Sequence, residues 1–156
     1  MREYIDKQLG VNDYCFGCGE SNPIGAKLNF YKISENSIGA DFTIPITYGG
    51  WGKIAHGGLQ TVLLDEVCGW TMITLLEKTG LTVNVNINFL KPLYIEDSIE
   101  IVGEIQKVEG RDMFIQGYIK DSSGDICTKG LFTFREVKKE RIEALADIKF
   151  SNYHEK

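Results

Sequence analysis

The chain has 156 residues, of which 43% are hydrophobic and 25% charged. Those proportions exclude a disordered, collagen-like or coiled-coil chain and fit one globular domain. The net charge is −5, and the most basic stretch, Lys138-Lys139-Glu140-Arg141, is mixed in sign, so nucleic acid is not an expected partner.

Residues 12 to 25 are rich in Gly, Asn, Cys and Pro and read as an irregular loop. From Ala26 to Ile33, Leu28 and Phe30 alternate with Lys27, Asn29 and Tyr31, which predicts a strand. Ile38 to Ile46 predicts a second, with Phe42, Ile44 and Ile46 on one face, and the two form a hairpin. The glycine-rich Tyr48 to Gly52 is a loop. After His56-Gly57-Gly58, the residues Leu59, Val62, Leu63, Val67, Trp70, Ile73 and Leu76 recur at helical spacing. Apolar residues cover most faces of this helix, so it is predicted to be central and buried. Gly80 suits the C′ position at its end.

Leu81 to Leu90 alternates: Leu81, Val83, Val85, Ile87 and Phe89 on one face, Thr82, Asn84, Asn86 and Asn88 on the other. Strands over Ile99–Val108, Met113–Lys120 and Ile126–Arg135 follow, with turns at Glu109-Gly110 and Asp121 to Gly124. Glu136 to Ala146 reads as a short helix. The expected fold is α+β: a curved antiparallel sheet of about six strands wrapped round one long helix. A single domain is expected over residues 1–156, with its core in 12–135 and a helix and tail in 136–156.

The apolar run Val67 to Leu76 is well short of the roughly 20 residues that span a membrane. Met1 to Lys7 carries acids and no apolar run, so no signal peptide is expected. A cytoplasmic protein without membrane attachment follows, with Cys15, Cys18, Cys68 and Cys127 as reduced thiols.

Chemistry concentrates around the helix. Gly57 and Gly58 stand at its start, where unpaired N–H groups and a partial positive charge can receive an anion or a developing oxyanion. Asp65 and Glu66 are two acids in an apolar helix; about 100° apart on its circumference, they cannot share one environment. A buried acid is costly or neutral, and perturbed acids mark functional sites; a structural ion pair is the alternative. Gly57 and Asp65 are about 12 Å apart along one helix, so one reacting group can touch both only across two subunits. His56 could be a general base, though its position beside the glycines suits bracing the loop. His154 lies in a polar tail. Cys15-Phe16-Gly17-Cys18 is a C-x-x-C without the second pair a zinc ribbon needs. It reads as a structural loop, with a Cys₄ site shared by two subunits as the alternative, and no metal is expected.

The combination of His56-Gly57-Gly58, Asp65-Glu66 in a long helix, and Thr82 and Pro92 on the next strand resembles the PaaI-type acyl-CoA thioesterases of the hotdog fold. The loop Cys15-Phe16-Gly17-Cys18-Gly19-Glu20-Ser21-Asn22-Pro23-Ile24-Gly25 resembles the N-terminal signature of a THEM4-like branch. The resemblance covers residues 12 to 135. It implies that Asp65 is the general base or nucleophile towards a thioester carbonyl, that the Gly57 N–H polarises this carbonyl across a dimer interface, and that Thr82 helps to position water. Gly58 and His56 belong to the same catalytic segment. It also implies dimers or dimers of dimers, and no cofactor beyond the coenzyme A of the substrate. Lys91 and Arg111 lie where relatives hold CoA phosphates, and Glu66 joins the substrate-binding candidates. Some relatives carry a carboxamide in the loop before His-Gly-Gly. Residues 48–52 here have none, and Gln60 is the candidate substitute. Trp51, Trp70 and Phe89 could line an acyl pocket. The rival expectations are an acyl-CoA-binding protein without turnover, a hydratase of the same fold, and a metal-bridged structural protein.

Overall fold

The computed structural model describes residues 1–7 and 14–150. Residues 12 and 13 of the first loop and His154 lie outside them. Six strands form one antiparallel sheet: β1 (Phe30–Lys32), β2 (Ser37–Thr43), β3 (Gly80–Phe89), β4 (Ser98–Glu109), β5 (Asp112–Lys120) and β6 (Ile126–Glu136). Their order across the sheet is β1-β2-β4-β5-β6-β3. The sheet wraps α1 (Gly57–Thr71), and a second helix, α2 (Lys139–Ala146), follows β6. This is the expected α+β architecture with a central helix.

Alternation builds the core. Along β5, Met113, Ile115 and Ile119 are buried, with Gly117 between them, and the residues in between are half-buried. They meet Leu63, Leu64, Val67 and Cys68 of α1, all fully buried. Two glycines, Gly103 and Gly117, make this contact possible. Gly103 pairs with Gly117 across β4 and β5, and Gly117 with Gly130 across β5 and β6. A Cβ on Gly103 would strike the Thr71 hydroxyl and lie 3.1 Å from the Val67 carbonyl oxygen. One on Gly117 would come within 3.0 Å of Cys68 Sγ and Leu64 Cδ2. The sheet lacks side chains where the helix comes closest. The stretch Gly57–Leu76 is long and apolar enough to cross a membrane by length and composition, but here it is the central helix that the sheet wraps.

Several local expectations change. β1 is shorter than Ala26–Ile33, because residues 26 and 28 bond to the preceding loop: Ala26 N–H donates to Phe16 O and Leu28 N–H to Gly17 O. Tyr31, expected on the outer face, is buried, because residues 3–5 lie alongside β1. There Ile5 N–H donates to Phe30 O, Lys32 N–H to Glu3 O, and Tyr4 bridges to Tyr31. Ile46 is exposed rather than continuing the Phe42–Ile44 face, since Pro45 turns the chain into a single 3₁₀ turn over Ile46–Tyr48. Gly80 does not end the helix. α1 loosens into a wider turn over Met72–Leu76, and Glu77 takes the left-handed conformation, with φ 52°. Gly80 instead opens β3, where a Cβ would lie 2.6 Å from Arg135 O. Residues 136–138 finish β6 and turn, so α2 starts at Lys139.

The largest correction concerns β3. The register to β6 shifts between Thr82 and Asn84. Thr82 pairs with Phe134 and Val85 with Phe132, and both phenylalanines face the helix side, stacked on each other at 6.5 Å. Val83 is therefore a bulge that slips the alternation by one. Thr82 faces α1 along with Val85, Ile87 and Phe89, not outward with the asparagines.

Gly103→Ala is expected to destabilise the fold by about 1–3 kcal/mol, the usual cost of forcing a methyl group into a packed core. Thermal or denaturant unfolding measures it.

Candidate active site

α1 begins at a cap rather than at a bare glycine pair. His56 is the N-cap residue, and its Nδ1 accepts the Gly58 N–H at 2.8 Å. That bond braces the loop and spends the Gly58 N–H. Gly57, one residue earlier, keeps its N–H at the helix mouth with no bond to the described residues. A Cβ on Gly57 would sit 3.4 Å from the Phe89 ring, so this end of the helix lies against the far end of β3.

Two turns along, the helix presents its carboxylates to different flanks. Asp65 faces β3, and its Oδ1 accepts the Thr82 hydroxyl at 2.7 Å. The bulge at Val83 makes this meeting possible. Burial raises the Asp65 carboxyl above its ordinary value of 3.8; the Thr82 hydrogen bond opposes the rise and the neighbouring Glu66 charge adds to it. Asp65 and Thr82, taken separately from the sequence, form one unit.

Glu66 turns the other way, to the loop at residues 15–19. Its Oε1 accepts from Trp70 Nε1 at 3.1 Å and lies 3.4 Å from Cys15 Sγ. Burial is the main cause that pushes this carboxyl up to about 7. The two thiols titrate as a pair. Hydrogen bonds from the Cys18 thiol, then from the Cys18 and Gly17 N–H groups, bring Cys15 down to about 5 against the effect of burial. Cys18 rises, because it shares its proton with Cys15 and is buried near Glu66. Glu66 thus faces the cysteine loop while Asp65 faces β3, in keeping with the separate environments expected of two acids about 100° apart on a helix.

Gln60 also differs from expectation. It is 4% exposed; its Oε1 accepts the Thr128 hydroxyl and its Nε2 donates to Ala55 O at 3.4 Å. It joins α1 to β6 inside the core and does not present a carboxamide at the helix mouth. Trp70 is a core residue stacked on Phe30 at 5.4 Å, whereas Trp51 and Phe89 are exposed. Lys91 Nζ sits 2.7 Å from Asp125 and 3.7 Å from Asp121, and Arg111 donates to Glu136 O at 3.0 Å. Lys91 follows the Phe89 end of β3, while Arg111 lies beside the Gly80 end, next to Asp112 and Glu136. A strand of this length sets them about 30 Å apart, so they cannot grip one phosphate together. The Glu66–Trp70 bond was legible as an i, i+4 pair. The convergence of Glu66 on the cysteine loop was not, because 51 residues separate Cys15 from Glu66.

Residues 52–128 match the family model described as the thioesterase superfamily, and the chain belongs to that superfamily, with its hotdog fold. Mouse acyl-coenzyme A thioesterase THEM4 is 32% identical over 104 residues, covering 67% of this chain and 43% of the relative. The rat protein of the same name is 28% identical over 93 residues, covering 60% of this chain and 40% of the relative. The chain thus spans less than half the length of these two relatives. Among solved structures, a thioesterase superfamily protein superposes with a TM-score of 0.75 at 24% identity, covering 85% of this chain and 66% of that one. A hypothetical thioesterase from Streptococcus pneumoniae TIGR4, crystallised with coenzyme A, superposes with a TM-score of 0.66 at 23% identity, covering 70% and 85%. Structures of that protein also exist with an aspartate or a threonine replaced by alanine.

The Asp65 carboxyl carbon, followed by NMR, should titrate above 3.8, and Thr82→Val should move the midpoint higher, because the lost hydroxyl favoured the ionised form. The stability sign follows. A carboxyl raised on folding contributes fully below its unfolded pKa and loses that contribution as pH rises through the folded one. Asp65→Asn should therefore melt at a higher temperature than the parent chain at pH 7, and the gap should close in acid.

Proposed function

We propose that the chain is an acyl-CoA thioesterase that hydrolyses a thioester to a carboxylate and free coenzyme A, working as a homodimer without a cofactor. The observation that carries this reading is the Asp65–Thr82 pair: a desolvated carboxylate oriented at 2.7 Å by a hydroxyl, on the face of a buried helix. Ionised Asp65 takes a proton from water as that water attacks the thioester carbonyl, or attacks the carbonyl itself; Thr82 holds the carboxylate in place. The carbonyl oxygen needs a donor, and Gly57 of the same chain is two helical turns away. Family membership and the coenzyme A bound by the streptococcal relative support the substrate class.

The dimer has its own support. β3 is an edge strand, and Val85 and Phe89 on its helix-facing side are 39% and 55% exposed. Antiparallel pairing of β3 with its copy sets the Phe89 end of one chain against the Thr82 end of the other. Because Gly57 packs on Phe89, the pairing carries the partner subunit's Gly57 N–H towards Asp65. Each chain supplies half of each site. Coenzyme A phosphates fall to Arg111 or to Lys91 at different ends of the strand, and a phosphate at Lys91 must displace Asp125.

A second reading is binding of acyl-CoA without turnover. It is favoured by the loop at residues 48–52, which lacks a carboxamide, and by Gln60, whose amide is spent in the core. Release of free thiol from short, long and aryl acyl-CoAs decides between them. Hydrolysis should fall roughly 10²–10⁴-fold in Asp65→Asn, the usual worth of a general base. Ligand-induced thermal shifts without thiol release would replace the enzyme with a binding protein. Val85→Glu places a charge in the proposed interface. Light scattering should then give the monomer mass, and hydrolysis should be lost with the dimer; a monomer that still turns over would remove Gly57 from the mechanism.

A further inference from the structure

The mechanism leaves one convergent cluster unused. Cys15 Sγ, Cys18 Sγ and a Glu66 carboxylate oxygen all lie within 4.8 Å of one another, half-buried beneath the first loop. We propose that these three atoms ligate a divalent transition-metal ion, zinc by the softness of the set, with water as the fourth ligand. This goes beyond the thioesterase reading and does not depend on it.

Four features of the surroundings suit a cation. The turn is a tight knuckle: Gly19 N–H donates to Cys15 O at 2.9 Å, which folds Cys15 and Cys18 back towards one point. Gly17 is required because the Glu66 side chain lies directly over its Cα, where a Cβ would collide with it. Trp70 Nε1 fixes the orientation of the Glu66 carboxylate at 3.1 Å, as partners of metal ligands commonly do. A divalent ion also relieves charge: two thiolates and a carboxylate carry −3, the ion leaves −1, and the Lys7 ammonium lies beside the knuckle, 3.0 Å from Cys18 O, where it is shared with Glu20 at 2.9 Å.

The geometry has room for the ion. Zinc bonds of about 2.3 Å to sulfur and 2.0 Å to oxygen place tetrahedral ligands about 3.5–3.8 Å apart, inside the observed spread. Two sulfurs with one hard oxygen select zinc over calcium or magnesium. The ion ties the first loop to α1 at the residue next to Asp65. Glu66 thereby acquires a reason to be an acid on a wall otherwise apolar.

Cobalt(II) titration of the full chain, stripped with a chelator under reducing conditions, tests the site, with zinc as competitor. The expected result is one equivalent bound per chain, with tetrahedral visible bands and thiolate-to-cobalt charge transfer, all displaced by zinc. Cys15→Ser and Cys18→Ser should lose the charge transfer, and Glu66→Gln, which removes a ligand, should weaken binding at least as much as the roughly 10–100-fold typical of losing a ligand's hydrogen-bond partner; circular dichroism checks that each variant is folded. Elemental analysis of protein purified without chelator should find zinc at about one per chain. Three results would overturn the proposal: no thiolate-bound cobalt in the folded parent chain, binding that survives loss of both cysteines, or an intact mass lighter by two hydrogens with no metal, which would make the pair a disulfide. None of these readouts involves hydrolysis, so the thioesterase reading stands or falls separately.

Discussion

Everything in this molecule depends on how closely α1 approaches the sheet. Gly103 and Gly117, paired across β4 and β5, leave a smooth trough, and Val67, Thr71, Leu64 and Cys68 settle into it. Interiors pack at crystal density, so a helix seated in such a trough has little freedom to roll. Its rotational setting then decides where every other side chain points. Asp65 goes to the β3 flank and Glu66 to the cysteine loop because Leu63, Leu64, Val67 and Cys68 must go inward. The apolar majority of the helix aims its polar minority.

The two acids show how one element makes two environments from adjacent residues. Both are raised by burial, yet their partners differ in kind. A hydroxyl stabilises the charged form of Asp65. Glu66 shares its surroundings with thiols that compete for the same protons. A carboxylate poised against one alcohol suits proton transfer, and a carboxylate gathered with two sulfurs suits ligation. The helix separates these chemistries by a single residue step.

Much of the fold was legible in the sequence. Order and type of the main elements follow from periodicity, since β5 alternates strictly and α1 is apolar on most faces. Resemblance pointed to Asp65, Thr82 and Gly57, but it could not give the 2.7 Å contact that joins the first two. What could not be read has definite physical causes. Strict alternation cannot reveal a bulge, so Thr82 was placed with the asparagines. Gly80 looked like a helix terminator, yet Glu77 accepts the left-handed conformation and Gly80 is needed where β3 crosses Arg135. Gln60 looked available because its partner, Thr128, is 68 residues away. Long-range partners decide whether a polar side chain serves the core or the surface.

The short segment alongside β1 has a topological consequence. Residues 3–5 take the hydrogen bonds of Phe30 and Lys32, so the β1 side of the sheet is closed by a brief strip flanked by Arg2 and Lys7. β3, at the opposite side, is a full strand with nothing beside it among the described residues. Short, charged borders discourage strand addition, and long bare ones invite it. A sheet with one blunted border and one open border can be extended only once. Joining two such sheets uses up both open borders, so growth by this route ends in a closed, two-fold object and cannot run on into a fibre.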